Sequence, residues 1–263
     1  MLDLVSQKMK FDRLKNLRPK KKLVVNPNWT LLQQNLNNHC PNNVALNAIR
    51  NISGKRKRDC ELPNHFDSQV NPLIPVNENF SVTGTLAMDC EMVGVGNGSR
   101  SALSRVTIIN QWGNVLYDEF VKPLEHIVDF RTSISGVRPH HMRKAKNFSV
   151  VQSKVADLIK GRILVGHALH NDLKALLLSH PKIDTRDTSK YGPFHQGGKT
   201  KALKRLACEL LGVTIQNGEH CSVEDARAAM VIYIKNKNQW EKTLKLQNTS
   251  HLKGKKKKTV KAL

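Results

Sequence analysis

Several things are scarce in this 263-residue chain, and each scarcity excludes a class. The five cysteines, Cys40, Cys60, Cys90, Cys208 and Cys221, are scattered and form no C-x-x-C pair. That argues against a disulfide scaffold or a zinc ribbon and for a reducing compartment. No run of ~18 apolar residues exists, so no transmembrane helix is expected. The first residues, Met1-Leu2-Asp3-Leu4-Val5, lack a basic stretch followed by an apolar one, so no secretory signal is expected. Aromatic residues make up only 5% of the chain and its mean hydropathy is −0.44, so not all of it is packed core. No internal repeat is evident. Acids are scarce too: 21 against 43 Lys and Arg, for a formal net charge of +22. Such an excess points to a polyanionic partner, nucleic acid before an anionic membrane surface, and says nothing about fold.

The charge is unevenly spread. Residues 1–82 carry 13 basic and 6 acidic side chains, residues 83–234 carry 20 and 14, and residues 235–263 carry 10 and 1. The first segment is rich in Asn, Lys and Pro and poor in hydrophobic periodicity, which predicts a mostly disordered extension. Within it, Trp29 to Leu36 could form a short amphipathic helix, transient or docking. Basic clusters stand at Lys20-Lys21-Lys22, Lys55-Arg56-Lys57-Arg58 and Lys253 to Lys258. Runs of this kind suit nuclear import or loose phosphate binding, and a solubilising tail is the plainer use.

From about Thr85 the pattern becomes α/β. Leu86 to Val93 is an apolar run bounded by Gly84 and Gly94, a strand interrupted by two carboxylates. Arg105–Asn110 and Val115–Val121 are strands joined by a tight turn at Gln111–Asn114, hence antiparallel. Helical spacing follows over Ser149–Lys160, then a buried strand at Ile163–Val165, then a helix over Asn171–Leu178. Lys182–Asp187 reads as a short strand and Tyr191–Gly198 as a loop. Ala202, Leu203, Leu206, Leu210 and Leu211 mark another helix, and Ser222 to about Lys235 the last. The order predicts a mixed sheet with helices packed on it, in one domain over 83–236 with a basic tail at 237–263.

Four acids and one histidine in that domain carry chemistry. Asp89 and Glu91 share a strand face about 7 Å apart. Carboxylates on a core strand are unfavourable unless paired or metal-bound. Asp172 sits in the first turn of the helix after the fourth strand, where an acid also serves the helix dipole. Asp225 follows Ser222 in a pattern resembling a capping box. His220 lies five residues before Asp225, placed to take a proton near pH 7, though the chain has 11 histidines. Singly, each has a structural explanation. Together, D-x-E on the first strand, an Asp after the fourth and H-x-x-x-x-D opening the last helix specify metal-dependent hydrolysis of a phosphodiester.

These stretches resemble the DEDDh exonucleases of ribonuclease H-like fold, and within them the RNA exonuclease 4 family. Ala87-Met88-Asp89-Cys90-Glu91-Met92-Val93-Gly94 is similar to that family's first motif. Gly166-His167-Ala168-Leu169-His170-Asn171-Asp172 is similar to the second, and Gly218 to Met230 to the third. Phe130 to Val137 and Arg186-Asp187-Thr188 also resemble it. The resemblance implies that Asp89, Glu91, Asp172 and Asp225 hold two Mg²⁺ or Mn²⁺ ions. It implies that His220 is the general base and that the substrate is single-stranded RNA or an RNA 3′ end, with DNA open. It also implies a 3′→5′ direction, ribosomal RNA processing, and a nuclear, nucleolar location. Met92 and Val93, just after Glu91, are candidate contacts to the terminal nucleotide or ordinary core. Two alternatives stay open: a non-catalytic nucleolar RNA-binding protein on the same fold, and a ribonuclease H-type endonuclease. Protein partners and oligomeric state are not legible.

Overall fold

The computed structural model describes residues 71–259, and side chains as far as residue 247. The Trp29 segment and the clusters at Lys20 and Lys55 lie outside the described residues, as do the side chains of Lys253 to Lys258.

The centre is strand β1 (Thr85–Val95), long and apolar on both faces. It pairs antiparallel with β2 (Arg100–Asn110), which pairs antiparallel with β3 (Val115–Lys122). Gly113, at φ +87, closes the β2–β3 hairpin, a backbone conformation glycine adopts without strain. On its other side β1 runs parallel to β6 (Ile163–Gly166), and β6 to β7 (Thr185–Asp187). Two short strands complete the sheet: β4 (Ile127–Asp129) against the end of β1, and β5 (Lys146–Asn147) beside β3. The order is β5-β3-β2-β1-β6-β7, a mixed ribonuclease H-like sheet.

The helices are α1 (Thr132–Ser135), α2 (Phe148–Ile159), α3 (Leu169–Ala175), α4 (Leu203–Leu211) and α5 (Ser222–Thr259). Alternation along β1 divides the core. Leu86, Met88 and Cys90 face a cluster with Val151, Val155 and Ile159 of α2 and Leu169 of α3. Ala87 faces a second cluster, with Leu206 of α4 and Ala226, Met230 and Tyr233 of α5. Both faces of the sheet are therefore covered, as its parallel half requires.

Several boundaries differ from the sequence reading, β2 among them, which begins at Arg100 rather than Arg105. α3 begins at Leu169 rather than Asn171, and only Thr185–Asp187 of the 182–187 segment is strand. The last helix does not stop near Lys235 but continues to Thr259. No Pro or Gly interrupts it before Gly254, and Trp240 is buried against Tyr191 with rings stacked at 3.9 Å. The packed body also begins before residue 83. Leu73 is buried, and Asn110 and Asn114 donate to the carbonyls of Asn79 and Ser81. Two of the asparagines in this stretch, Asn77 through its side chain and Asn79 through its carbonyl, accept hydrogen bonds from the β2–β3 turn.

Candidate active site

β1 carries Asp89 and Glu91 near its middle on one face, as the two-residue period requires, just beyond the last residue it pairs with β6. The first turn of α5 brings Asp225 to meet them. One carboxylate oxygen from each of Asp89, Glu91 and Asp225 lies within 4.8 Å of the others. Asp172, the fourth residue of α3, is buried outside this trio, with the thiol of Cys90 hydrogen-bonded to it. It is still close enough for its charge to act on Asp89.

The electrostatics are those of like charges gathered out of water. Burial, then the charges of Asp172, Asp225 and Glu91, hold the Asp89 carboxyl well above its ordinary range. Burial and the Asp225 charge push Glu91 up to about 8, although Arg105 opposes the shift. Burial lifts Asp172 to about 7 and Asp225 to about 6. Among the described residues no Lys or Arg forms an ion pair with any of the four. Arg105, the cross-strand partner of Glu91, commits its guanidinium to Asp118 at 2.8 and 2.7 Å. Glu91 Oε1 and Asp225 Oδ1 are buried and have no hydrogen-bond partner among the described residues. Three converging carboxylates, two of them with an orphaned oxygen, suit a hard divalent cation, which takes oxygen ligands and returns the lost attraction.

His220 stands beside the trio, its Nδ1 3.8 Å from Asp225 Oδ2 and its side chain one-third exposed. Burial, then Lys204, lowers its pKa, so the ring is neutral at pH 7. Its backbone N–H donates to the Ile134 carbonyl at 2.6 Å. Gly136 is at φ +64, and a Cβ there would meet the Glu219 side chain and the His220 carbonyl at 3.4–3.5 Å. The 130–137 stretch thus seats the histidine.

A cleft of about 870 Å³ opens from this cluster, with Glu91, Cys90 and His220 at one part of its wall. Met92 lines it, and Val93 does not. Val93 is fully buried, because β4 pairs with β1 immediately beyond it at Gly94 and Val95. The expectation of a nucleotide contact therefore transfers to Met92 alone, and Val93 is core.

Two supporting residues had no role in the sequence reading. Asp187 Oδ1 accepts from the N–H of Ala168 at 2.8 Å and from Ser189, pinning the left-handed Ala168 (φ 56) that starts the helix of Asp172. Gln216, also left-handed, donates from Nε2 to Asp225 Oδ2 at 2.9 Å. Asp187 lay in a stretch already singled out, whereas nothing local marks Gln216.

The chain matches the family model described as Exonuclease over residues 86–233. It is 53% identical over 170 residues to RNA exonuclease 4 of Saccharomyces cerevisiae, covering 63% of this chain and 59% of that protein. It is 51% identical over 163 residues to RNA exonuclease 4 of Homo sapiens, covering 61% and 39%. The similarity thus spans between two-fifths and three-fifths of these relatives' lengths. Among solved structures, the Saccharomyces cerevisiae Pan2 pseudoubiquitin hydrolase–RNA exonuclease module in complex with AAUUAA RNA matches with TM-score 0.54 and 32% identity, over 65% of this chain and 32% of that one. The Neurospora crassa Pan2 catalytic unit, at 21% identity and TM-score 0.54, shares the fold over 72% and 31%.

Proposed function

The chain belongs to the exonuclease family, and from that membership we propose that it is a metal-dependent 3′→5′ exonuclease acting on RNA. One observation carries the reading: three carboxylates with no Lys or Arg paired to them among the described residues, two of them buried with an orphaned oxygen, converge where Glu91 lines an open cleft beside a neutral histidine. RNA as substrate is supported by the names of the relatives, by the RNA held in the Pan2 modules and by the net charge of +22. The polarity rests on family resemblance.

Asp89, Glu91 and Asp225 would hold divalent cations, two Mg²⁺ or Mn²⁺ ions with Asp172 completing the set. Such ions lower the pKa of a bound water and stabilise charge on the departing 3′ oxygen. The chain's own residues do the rest. His220 turns Nδ1 toward Asp225, which leaves Nε2 as the nitrogen that accepts the proton of the attacking water. The Ile134 carbonyl and the Gly136 turn hold that ring against the cleft. Met92 bounds the terminal nucleotide. We place the protein in the nucleus, at ribosomal RNA precursors, on the strength of its basic clusters and the family it resembles.

The test is cleavage of 5′-labelled single-stranded RNA with Mg²⁺ or Mn²⁺, with and without a 3′ block. A ladder shortening from the free 3′ end supports the proposal. Cuts inside the blocked RNA would make the protein an endonuclease, and no cleavage with either metal would make it a scaffold. His220→Ala should lower kcat by about 10²–10⁴-fold at neutral pH while the metal-induced rise in Tm persists. Wild-type turnover by that variant removes His220 from the reaction.

A further inference from the structure

Four non-glycine residues among those described adopt left-handed backbone: Arg131, Ala168, Leu177 and Gln216. All four lie at or beside the candidate site. For three the compensation is visible. Gln216 donates to Asp225, Ala168 donates to Asp187, and the Arg131 guanidinium donates to Ser101 Oγ and the Gly98 carbonyl. Leu177 has backbone hydrogen bonds, its N–H donating to the Lys174 carbonyl at 3.1 Å and its carbonyl accepting from Gln152 Nε2 at 3.5 Å, but its side chain takes part in none of them. It sits just past the end of α3, at φ 52, with the Leu178 N–H donating back to the Leu173 carbonyl at 2.9 Å. This is the helix-ending geometry in which glycine is the usual residue and asparagine the next. A leucine there is unfavourable for its backbone. It is unfavourable again for its side chain, which is 66% exposed and joins neither core cluster. The conformation is nevertheless held firmly: Gln152 of α2 donates to the Leu176 carbonyl at 2.9 Å.

Leu177 lines the cleft, as does Leu124 after β3, itself 74% exposed. Lys174, exposed and without an ion pair among the described residues, lines it one turn earlier on the same helix as Asp172. The cleft, at about 870 Å³, stands near the top of the ~300–1,000 Å³ that encloses one small ligand. It has room for more than a terminal nucleotide. A residue unfavourable in two independent ways, and fixed at the rim of a binding cleft, points to a ligand that covers it.

We propose that Leu177 is a substrate-binding residue whose side chain packs against a nucleobase of single-stranded RNA in the cleft. The inference rests on the nuclease reading above and adds to it a base contact that is apolar and indifferent to base identity, since every base offers a π face. The phosphate of the same strand would meet Lys174.

The experiment compares the full chain with Leu177→Asn and Leu177→Met. Melting is followed without RNA, and binding and cleavage are followed on fluorescent hexauridylate, hexaadenylate and an abasic hexamer. Asn tolerates left-handed backbone, so Leu177→Asn should raise Tm by about 2–4 °C. It should also raise Kd and KM for both hexanucleotides by about three- to tenfold, with kcat at saturation unchanged. The difference should vanish on the abasic strand. Leu177→Met keeps the apolar surface and should bind within about twofold of wild type. A raised Tm with unchanged RNA affinity overturns the inference alone, because the leucine would then be only a poor cap. A lowered Tm with lowered affinity also overturns it, in favour of a structural role. No binding of any hexamer by the wild-type chain overturns the nuclease reading and this inference with it.

Discussion

The two parts of helix α5 treat their acids in opposite ways. In its first turn Asp225 is fully buried beside two more acids, has one oxygen without a partner and meets no Lys or Arg. Sixteen residues on, about 24 Å along the axis, Glu241 is gripped by Arg186 at 2.6 and 2.8 Å and by the Tyr233 hydroxyl at 2.9 Å. Hydrogen bonding to Arg186 draws Glu241 below its ordinary pKa, whereas burial lifts Asp225 to about 6. An acid's surroundings, not its burial alone, separate architecture from chemistry. The structural acids are held by donors, Glu241 by an arginine and a phenol and the buried Asp187 by backbone N–H groups and Ser189. At the head of α5 three acids gather with no Lys or Arg among the described residues paired to any of them, and the missing positive charge is to come from outside.

The largest effect expected from this contrast is on catalysis. Asp225→Asn keeps the shape and the Gln216 contact but removes a charge from the metal-binding set. Loss of several kcal/mol of metal-derived stabilisation is about a thousandfold or more in rate. The same variant should melt at a higher temperature than wild type in EDTA, because a like-charge contact has gone. Rate by single-turnover cleavage and Tm by calorimetry read the two halves. A variant that stays active, or that melts lower without metal, breaks the distinction at the Asp225 end.

The opposite signature is expected at the other end. Glu241→Ala leaves the Arg186 guanidinium, only 5% exposed, buried without its carboxylate. Removing one partner of a fully buried pair costs about 3–5 kcal/mol, and the partial exposure of Glu241 reduces this to roughly 2–3 kcal/mol. Denaturant unfolding should show that loss, while kcat per folded molecule stays within about twofold. A large fall in kcat with unchanged stability would reverse the roles assigned to the two acids.

A third effect separates the ends by pH. Carboxylates ordinarily titrate near 4, and in the folded chain Glu91, Asp172 and Asp225 titrate at about 8, 7 and 6. Between those limits the folded state binds more protons than the unfolded one, so stability falls as pH rises. The metal-free protein should thus be more stable at pH 5 than at pH 8, with the decline still under way at about pH 8, where Glu91 titrates. Saturating Mg²⁺ or Mn²⁺ should flatten the profile at neutral pH and add about 2.7 kcal/mol at a hundred times Kd. Glu241 runs the other way, its contribution present above the ordinary carboxylate pKa and lost only in acid. Thermal melts from pH 5 to 9, with EDTA and with metal, decide it. A metal-free profile that rises over this range would contradict the grouping of the acids.

Much of this was legible from the chain. The D-x-E alternation on β1, the hairpin after it and the acids opening α3 and α5 follow from local period and spacing, and the structure places three of the acids together as those patterns suggest. What escaped was non-local. Val93 reads like Met92 until β4, three residues long and without periodicity, closes over the end of β1. Gln216 reaches Asp225 only through a left-handed turn, and Asp187 steadies Ala168 from 19 residues away. The Arg186–Glu241 pair spans 55 residues, so the extension of α5 past residue 236 could not be read from its polar, lysine-rich sequence.

The smallest effect is expected at an acid between the two extremes. Glu219 neighbours His220 and is held by Arg138 at 2.5 and 2.9 Å, but the pair is more than 40% exposed on both sides. Solvent screens such a pair, so Arg138→Ala should move Tm by less than about 3 °C. Its position matters more than its strength. Arg138 also donates to the Gly136 carbonyl, in the turn that seats His220. Loosening that turn should lower kcat by a few-fold with KM for RNA nearly unchanged, and Arg138→Lys should recover part of the rate. A large shift in Tm would place this exposed pair with Arg186–Glu241 as architecture. A shift in KM without kcat would place it in the substrate path. A modest fall in kcat alone would show that pairing an acid beside the site steadies the histidine, and that the acids left unpaired are the ones reserved for metal.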